Sequence, residues 1–225
     1  IWTKMFNKQK LVFLFISFFI SINLPLNSRI WDVGYFQFFK YKQYEMGKLH
    51  FFAMGEFHFR SNISSLRFYL LTQQVAYQAF KNLDLEAHYC YVGARPYYYH
   101  KYGHQHRINL EVDPYFNLSK KVKYKIRNRI EFRKVQSIKN WIYVYRIRPE
   151  AIIEVKRKAL NYISCANEVF YNFNDKIYFE NRLIPINFNF AFGKKKTLDV
   201  FLMLLSIRTE INWRQTAAIC TQINF

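Results

Sequence analysis

"KVKYKIRNRIEFRKV", residues 121–135, alternates along almost its whole length. Lys121, Lys123, Lys125, Arg127, Arg129, Glu131 and Arg133 fill the odd places, and every one is charged. Val122, Tyr124, Ile126, Ile130 and Phe132 fill the even places up to Phe132, where Asn128 is the single polar exception. Side chains of a β-strand point alternately to its two faces, so a strand sorts this segment into one charged and one greasy surface. A helix would spread the charges around its circumference. The stretch is therefore a strand, and what remains is which face meets water.

The same alternation runs through most of the chain. Candidate strands cover 30–41, 47–60, 65–79, 83–93, 104–116, 121–134, 140–154, 160–173, 177–192, 197–208 and 213–225. Turn-like pieces such as "RSNIS", "KNLD", "FNLSKK", "FNDK" and "FGKKK" separate them. In 140–154, Trp141, Tyr143, Tyr145 and Ile147 share one face, and Ile142, Val144, Arg146, Arg148 and Glu150 share the other. In 104–116, Arg107, Asn109, Glu111 and Asp113 fall together. A hairpin around Asn117–Ser119 would set Glu111 and Asp113 beside Lys123 and Lys125, which stabilises a strand pair modestly. Glu180 and Arg182 share a face in 177–192, but beyond Pro185 the polar residues are Asn187 and Asn189. That phase change, with a proline that has no N–H for the ladder, predicts a bulge at Pro185–Ile186.

The chain has 225 residues, 20% of them aromatic, and a formal net charge of +19. Cys90, Cys165 and Cys220 lie far apart and odd in number, which supports neither a zinc motif nor a disulfide framework. Residues 1–28 read differently from the rest. "MFNKQK" is cationic, Leu11–Ile22 is apolar apart from two serines, and "NLPLNS" follows with a helix breaker. This is the three-part layout of a secretory signal peptide, with Met5 as the start and Ile1 to Lys4 as an over-long reading frame. A transmembrane anchor is the rival reading, but the apolar run falls short of the ~20 residues a spanning helix needs. Three lysines and no acid lie in 1–28, so residues 29–225 carry 31 basic and 15 acidic side chains, a net +16.

Alternation alone does not say which face is inside. A soluble barrel turns its apolar face inward; a membrane barrel turns it outward. Three features favour the membrane: a face crowded with Tyr, Trp and Phe as in interfacial girdles, the export signal, and Phe225 closing the last strand. Phe225 resembles the signal that outer-membrane assembly machinery recognises. A closed barrel also satisfies every backbone group in lipid. The expectation is an all-β, antiparallel up-and-down transmembrane barrel over residues 29–225. Eleven candidate strands do not meet the even count expected of such barrels, which points to twelve strands, or to ten if 30–41 does not span.

"RNRIEFR" (127–133), "YRIRPE" (145–150), "NEVFYNF" (167–173), "FENRL" (179–183) and the final "INF" together resemble a family of outer-membrane β-barrels of Gram-negative bacteria catalogued as a domain of unknown function. The resemblance covers residues 30–225. It implies that Arg127, Arg129, Glu131, Arg133, Glu168 and Arg182 are charges of the barrel lumen, and it implies no reaction.

Lys123, Lys125, Arg127, Arg129, Glu131, Arg133, Arg146, Arg148, Glu150, Glu168, Glu180 and Arg182 are then the expected lumen-lining residues. Each Arg or Lys turned to lipid at mid-membrane would cost ~2–4 kcal/mol, so a membrane barrel must face them inward. Their role is structural pairing or, if the lumen is open, a narrow pore favouring small anions. The expected partners are outer-membrane lipid and the assembly machinery. A barrel enzyme is the first alternative, but Ser164 and His88 sit in no catalytic motif, so no catalytic residue is assigned. His100, His104 and His106 lack a further ligand, and neither metal nor cofactor is expected. A soluble basic nucleic-acid-binding β protein is the second alternative, opposed by the export signal and the lack of a binding motif.

Overall fold

The computed structural model describes residues 30–95, 101–157, 159–193, 195–209 and 212–225. The expected signal peptide over 1–28 lies outside them. The described chain is all strand and turn. The strands are β1 (Ile30–Met46), β2 (Leu49–Arg60), β3 (Ser65–Phe80), β4 (Leu83–Ala94), β5 (Gly103–Asn117) and β6 (Val122–Val135). They continue with β7 (Ile142–Arg157), β8 (Leu160–Asn172), β9 (Ile177–Ala191), β10 (Thr197–Arg208) and β11 (Trp213–Asn224). Each pairs with its sequence neighbours, and β11 returns to β1 to close a barrel.

The expected count of twelve or ten strands is wrong: the described residues form eleven. All eleven segments read from the sequence are strands, and it was the even-number rule that misled. Ten successive hairpins reverse the chain ten times, so the eleventh strand runs in the same direction as the first. The barrel accordingly closes through a parallel seam, with Val33 opposite Ala217, Tyr35 opposite Ile219 and Lys40 opposite Asn224. The other ten pairings are antiparallel. Phe225 fastens the end of the seam: its N–H donates to the Lys40 carbonyl at 2.9 Å, and its carbonyl accepts from Lys42 N at 3.2 Å.

The two rims differ. One, here the C-terminal rim, holds the end of β11 and the connections β1–β2, β3–β4, β5–β6, β7–β8 and β9–β10. These are short, and Gly47 (φ 58°) and Gly193 (φ 67°) turn two of them in the left-handed region. The opposite, loop rim carries the longest connection, residues 95–102. In its β2–β3 turn, Ser61, Asn62 and Ile63 all take positive φ. The buried Asp32 carboxylate accepts from Ser61 N and Asn62 N at 3.0 and 2.9 Å and holds that turn.

β9 carries the expected bulge. Its pairings with both β8 and β10 slip by one residue between Leu183 and Asn187, the stretch that contains Pro185. Polarity along β5 shows how the barrel is turned. Arg107, Asn109, Glu111 and Asp113 are 0–7% exposed, whereas Ile108, Leu110 and Val112 are 42–50% exposed. Charges point into the barrel and aliphatic side chains point out.

The outer surface is layered. Leu71, Leu110, Ile130, Leu202 and Ile219 are exposed around its middle. Tyr41, Tyr44, Phe80 and Phe116 are exposed near the C-terminal rim, and Tyr89, Trp141, Tyr143 and Tyr178 near the loop rim. Asn128, the exception in the opening stretch, lies on this outer face. Its Oδ1 accepts from Tyr145 Oη at 2.8 Å, and its amide nitrogen donates to the carbonyls of Ile126 and Val112 at 3.3 and 3.4 Å. A polar side chain among aliphatic neighbours is tolerated because its hydrogen bonds are made locally.

Candidate functional site

The interior has two unlike walls. β10, β11 and β1 contribute Phe201, Met203, Leu205, Ala218, Cys220 and Phe36, which pack with Ala166 and Ile184 into an apolar cluster. β10 is therefore apolar on both faces, since Leu202 is exposed outside. The wall from β4 to β9 is charged. At its centre sits Glu131, 0% exposed. Arg146 Nη1 and Arg133 Nη2 each lie 2.5 Å from its carboxylate, and Arg107 and Arg129 each approach to 3.8 Å. One carboxylate thus holds four guanidinium groups together.

The remaining predicted charges extend this network. Arg146 reaches on to Glu168 with Nη2 at 2.7 Å and Nε at 3.1 Å. Glu111 meets Arg127 at 2.9 Å and also Arg129, and Lys125 pairs with Asp113 at 2.5 Å. Arg148 lies 3.6 Å from Glu150, and Arg182 lies 2.6 Å from Glu180. Lys123 is the outlier: its side chain is 46% exposed and it pairs with Glu154 at 2.6 Å instead. Of the acid–lysine contacts expected in the β5–β6 hairpin only Asp113–Lys125 forms, and it is diagonal, since Lys125 stands opposite Tyr115. The turn centres between Ser119 and Lys121 rather than on Leu118, so Glu111 stands opposite Arg129. Phe225 is 43% exposed at the C-terminal rim.

Sequence reasoning missed a second set of interior groups. Glu56 and His58 on β2, and Glu86 and His88 on β4, each form a carboxylate–imidazole pair two residues apart, at 2.5 and 3.0 Å. The signal was present as "EFH" and "EAH": spacing by two puts both side chains on one strand face. Glu56 also lies 3.6 Å from Arg182. Glu86, His88 and Glu111 are the one group among the described residues whose ligand atoms converge as a metal site would require, all within 4.8 Å. Arg127 and Arg129 already occupy Glu111, so two guanidinium charges stand where a cation would have to enter.

The expected bystanders have local partners. Ser164 donates to Glu150 at 2.8 Å and accepts from Asn187 at 3.3 Å, while His88 pairs with Glu86, so neither engages the other. His104 and His106 lie against Tyr91 and Tyr89, at 2.9 and 2.7 Å. His100 lies outside the described residues.

Among the described residues, two of the cavities lie inside the barrel. The one nearer the C-terminal rim, ≈ 680 Å³, is bounded on one side by Phe38, Phe201 and Met203 and on the other by Arg127, Arg129 and Arg148. The one at the loop rim, ≈ 610 Å³, is lined by arginines with Phe68 and Ile207. Arg182 lines both. At this waist Phe36 stacks on His58 at 3.8 Å, and the guanidinium groups of Arg146 and Arg182 lie over the Phe170 ring at 4.3 and 4.9 Å.

No curated protein and no solved structure matches the chain. Of the motifs that carried the family resemblance, the R-x-R-x-E-x-R strand, "YRIRPE" and "NEVFYNF" supply Arg129, Glu131, Arg133, Arg146 and Glu168 of this network. The chain belongs to the family described as "Protein of unknown function (DUF2490)", whose model matches residues 14–216.

Proposed function

We propose that this chain is an outer-membrane β-barrel whose net-basic interior is a chamber closed at mid-height, with a structural or surface-binding role rather than that of an open channel. The observation that carries the reading is the inverted polarity: Glu111, Asp113 and Glu131 are buried inside, while Leu110, Val112 and Ile130 are exposed outside. In water that arrangement would expose a continuous apolar belt; in lipid it is the stable one. Aromatic side chains near both rims and strands of 12 to 17 residues, enough to cross a tilted bilayer path, support the same reading. Short connections at the C-terminal rim argue for that rim facing the periplasm.

Membrane barrels resist detergent until heated. Unboiled protein from the outer-membrane fraction should migrate differently from boiled protein on a gel. Identical mobility, with the chain in the soluble fraction, would refute the proposal.

A narrow anion-favouring pore is the second reading, kept because the two cavities share Arg182. Reversal potentials in a salt gradient distinguish the two: no steady conductance supports the closed chamber, and anion-selective conductance supports the pore.

A further inference from the structure

We infer that the cavity nearer the C-terminal rim binds an anionic amphiphile, a single apolar chain with a carboxylate head. The inference rests on the reading of the interior as a closed chamber and names what the chamber takes. Two neighbouring rungs of the β6–β7 ladder carry it. Arg129 stands opposite Arg146, and Arg127 stands opposite Arg148. Like charges directly across a strand pair repel. At the first rung Glu131 reaches both partners, at 3.8 Å from Arg129 and 2.5 Å from Arg146. At the second rung no carboxylate among the described residues reaches both. Arg127 lies against Glu111, while Arg148 has Glu150 at 3.6 Å, beyond hydrogen-bond reach, and its Nε has no hydrogen-bond partner. The place that Glu131 fills at one rung is left for a ligand at the next.

That second rung borders the cavity. The side chains of Arg127 and Arg148 are 26 and 22% exposed, against 12 and 8% for Arg129 and Arg146. Lys40 lines the same cavity from β1, across the barrel. Its Nζ lies 4.1 Å from the centre of the Phe52 ring rather than on a carboxylate. Arg127 and Lys125 are near enough to repel it, and Glu86 and Glu111 to attract it. The acids on the lining are engaged elsewhere. Glu168 holds Arg146, Glu86 holds Gln74 and His88, and Glu150 accepts from Ser164. Asp199 accepts from Asn187, Asn189 and Asn224. What the cavity offers a ligand is therefore cationic donors.

Ligand class follows from the two sides of the cavity. Arginine forks suit a carboxylate, and Glu131 shows one seated between the same pair of strands. Away from the arginines, Phe38, Leu70, Ile184, Phe201 and Met203 form an apolar side. A small inorganic anion would leave that side wet, and a neutral chain would leave Arg148 and Lys40 unanswered. A carboxylate carrying an apolar chain satisfies both. A volume of ≈ 680 Å³ lies within the ~300–1,000 Å³ range of small-molecule sites and exceeds what a bare carboxylate needs.

The test uses the full folded protein in a neutral detergent, with octanoate as the probe, titration calorimetry as the readout and empty micelles as the blank. Saturable one-to-one binding is expected. Acetate, which lacks the chain, and octanol, which lacks the charge, should each bind at least roughly tenfold more weakly. Lys40→Gln/Arg148→Gln should weaken octanoate roughly tenfold, and Met203→Gln should weaken it severalfold from the apolar side. Lys48→Gln/Lys121→Gln, exposed charges at the same rim but outside the cavity, should leave it unchanged. Heat-dependent gel mobility of each sample checks the barrel separately. Octanoate heats equal to those of empty micelles, from heat-modifiable protein, overturn the site and leave the barrel standing. Saturable binding by protein without heat-dependent mobility upholds the site and refutes the membrane reading. Acetate or octanol binding as tightly as octanoate overturns the amphiphile, and equal weakening by the two double variants overturns the assignment to this cavity.

Discussion

Glu131→Gln is the sharpest probe of the interior. The substitution keeps the size of the side chain and removes one negative charge. Four guanidinium groups lie within 4 Å of that carboxylate, and its side chain is 0% exposed. Arg146 retains Glu168 and Arg129 retains Glu111. Arg133 and Arg107 lose the acid that faces them. Removing one partner from a buried ion pair costs ~3–5 kcal/mol, because the stranded charge cannot be rehydrated. The exposed pair Lys123–Glu154 supplies the contrast: Lys123→Gln should cost ~0–1 kcal/mol. Urea unfolding of the barrel in lipid vesicles, followed by tryptophan fluorescence, measures both. Arg133→Met placed in the Glu131→Gln background should restore ~1–3 kcal/mol, since it removes one of the charges left stranded. If Glu131→Gln unfolds within 1 kcal/mol of the parent, or the second substitution restores nothing, the carboxylate does not hold the arginines together and the argument fails.

Arg146→Ala/Arg182→Ala removes the two guanidinium groups that cover Phe170 at the waist, and should convert a silent barrel into one with steady conductance in planar bilayers. Tyr145→Phe leaves Asn128 Oδ1 without its donor on the outer face and should lower stability by ~1 kcal/mol in the same urea assay. Deleting Phe225 removes two backbone hydrogen bonds at the end of the β1–β11 seam and should cost ~1–3 kcal/mol, read as a lower temperature for the gel-mobility shift.

Much of the fold was legible because period-two patterning survives on both faces of most strands. Lys125, Arg127, Arg129, Glu131 and Arg133 alternate with Tyr124, Ile126, Ile130 and Phe132, and the resulting strand is β6. Pro185 marked the bulge in β9 because a missing N–H must be accommodated wherever it falls. Hairpin registers were less legible. A slip of two residues per strand at the β5–β6 turn exchanges one set of interior charges for another, and every such position on β6 is charged. Alternation therefore could not distinguish Glu111 beside Arg129 from Glu111 beside Lys125.

The apolar interior wall and the seven arginines that line the loop-rim cavity escaped for opposite reasons. "VFLMLLSI" (200–207) has no polar face to reveal which side is inside, so β10 read as a strand without direction. Arg60, Arg67, Arg95 and Arg214 each sit at a strand end next to a turn, where a single basic residue ordinarily meets solvent. Only closure of the barrel brings them together.

Closure itself turns on parity. In a chain of hairpins, strand number fixes whether the first and last strands run together or opposed, and no local pattern records which pairing the seam will take. A parallel seam is slightly weaker per residue than an antiparallel one. Here it is supported on its inner face by Phe36, Ala218 and Cys220 in the apolar cluster, whose other members come from the neighbouring β10, β9 and β8. The charged wall stands on the other side, where antiparallel pairing is continuous from β4 to β9. The apolar wall thus lies where the backbone ladder is weaker, and side-chain packing adds stability there that does not depend on register-matched charges. That division of labour explains why one interior can be greasy along its seam and densely ionic opposite it, and why its two cavities each present a basic face.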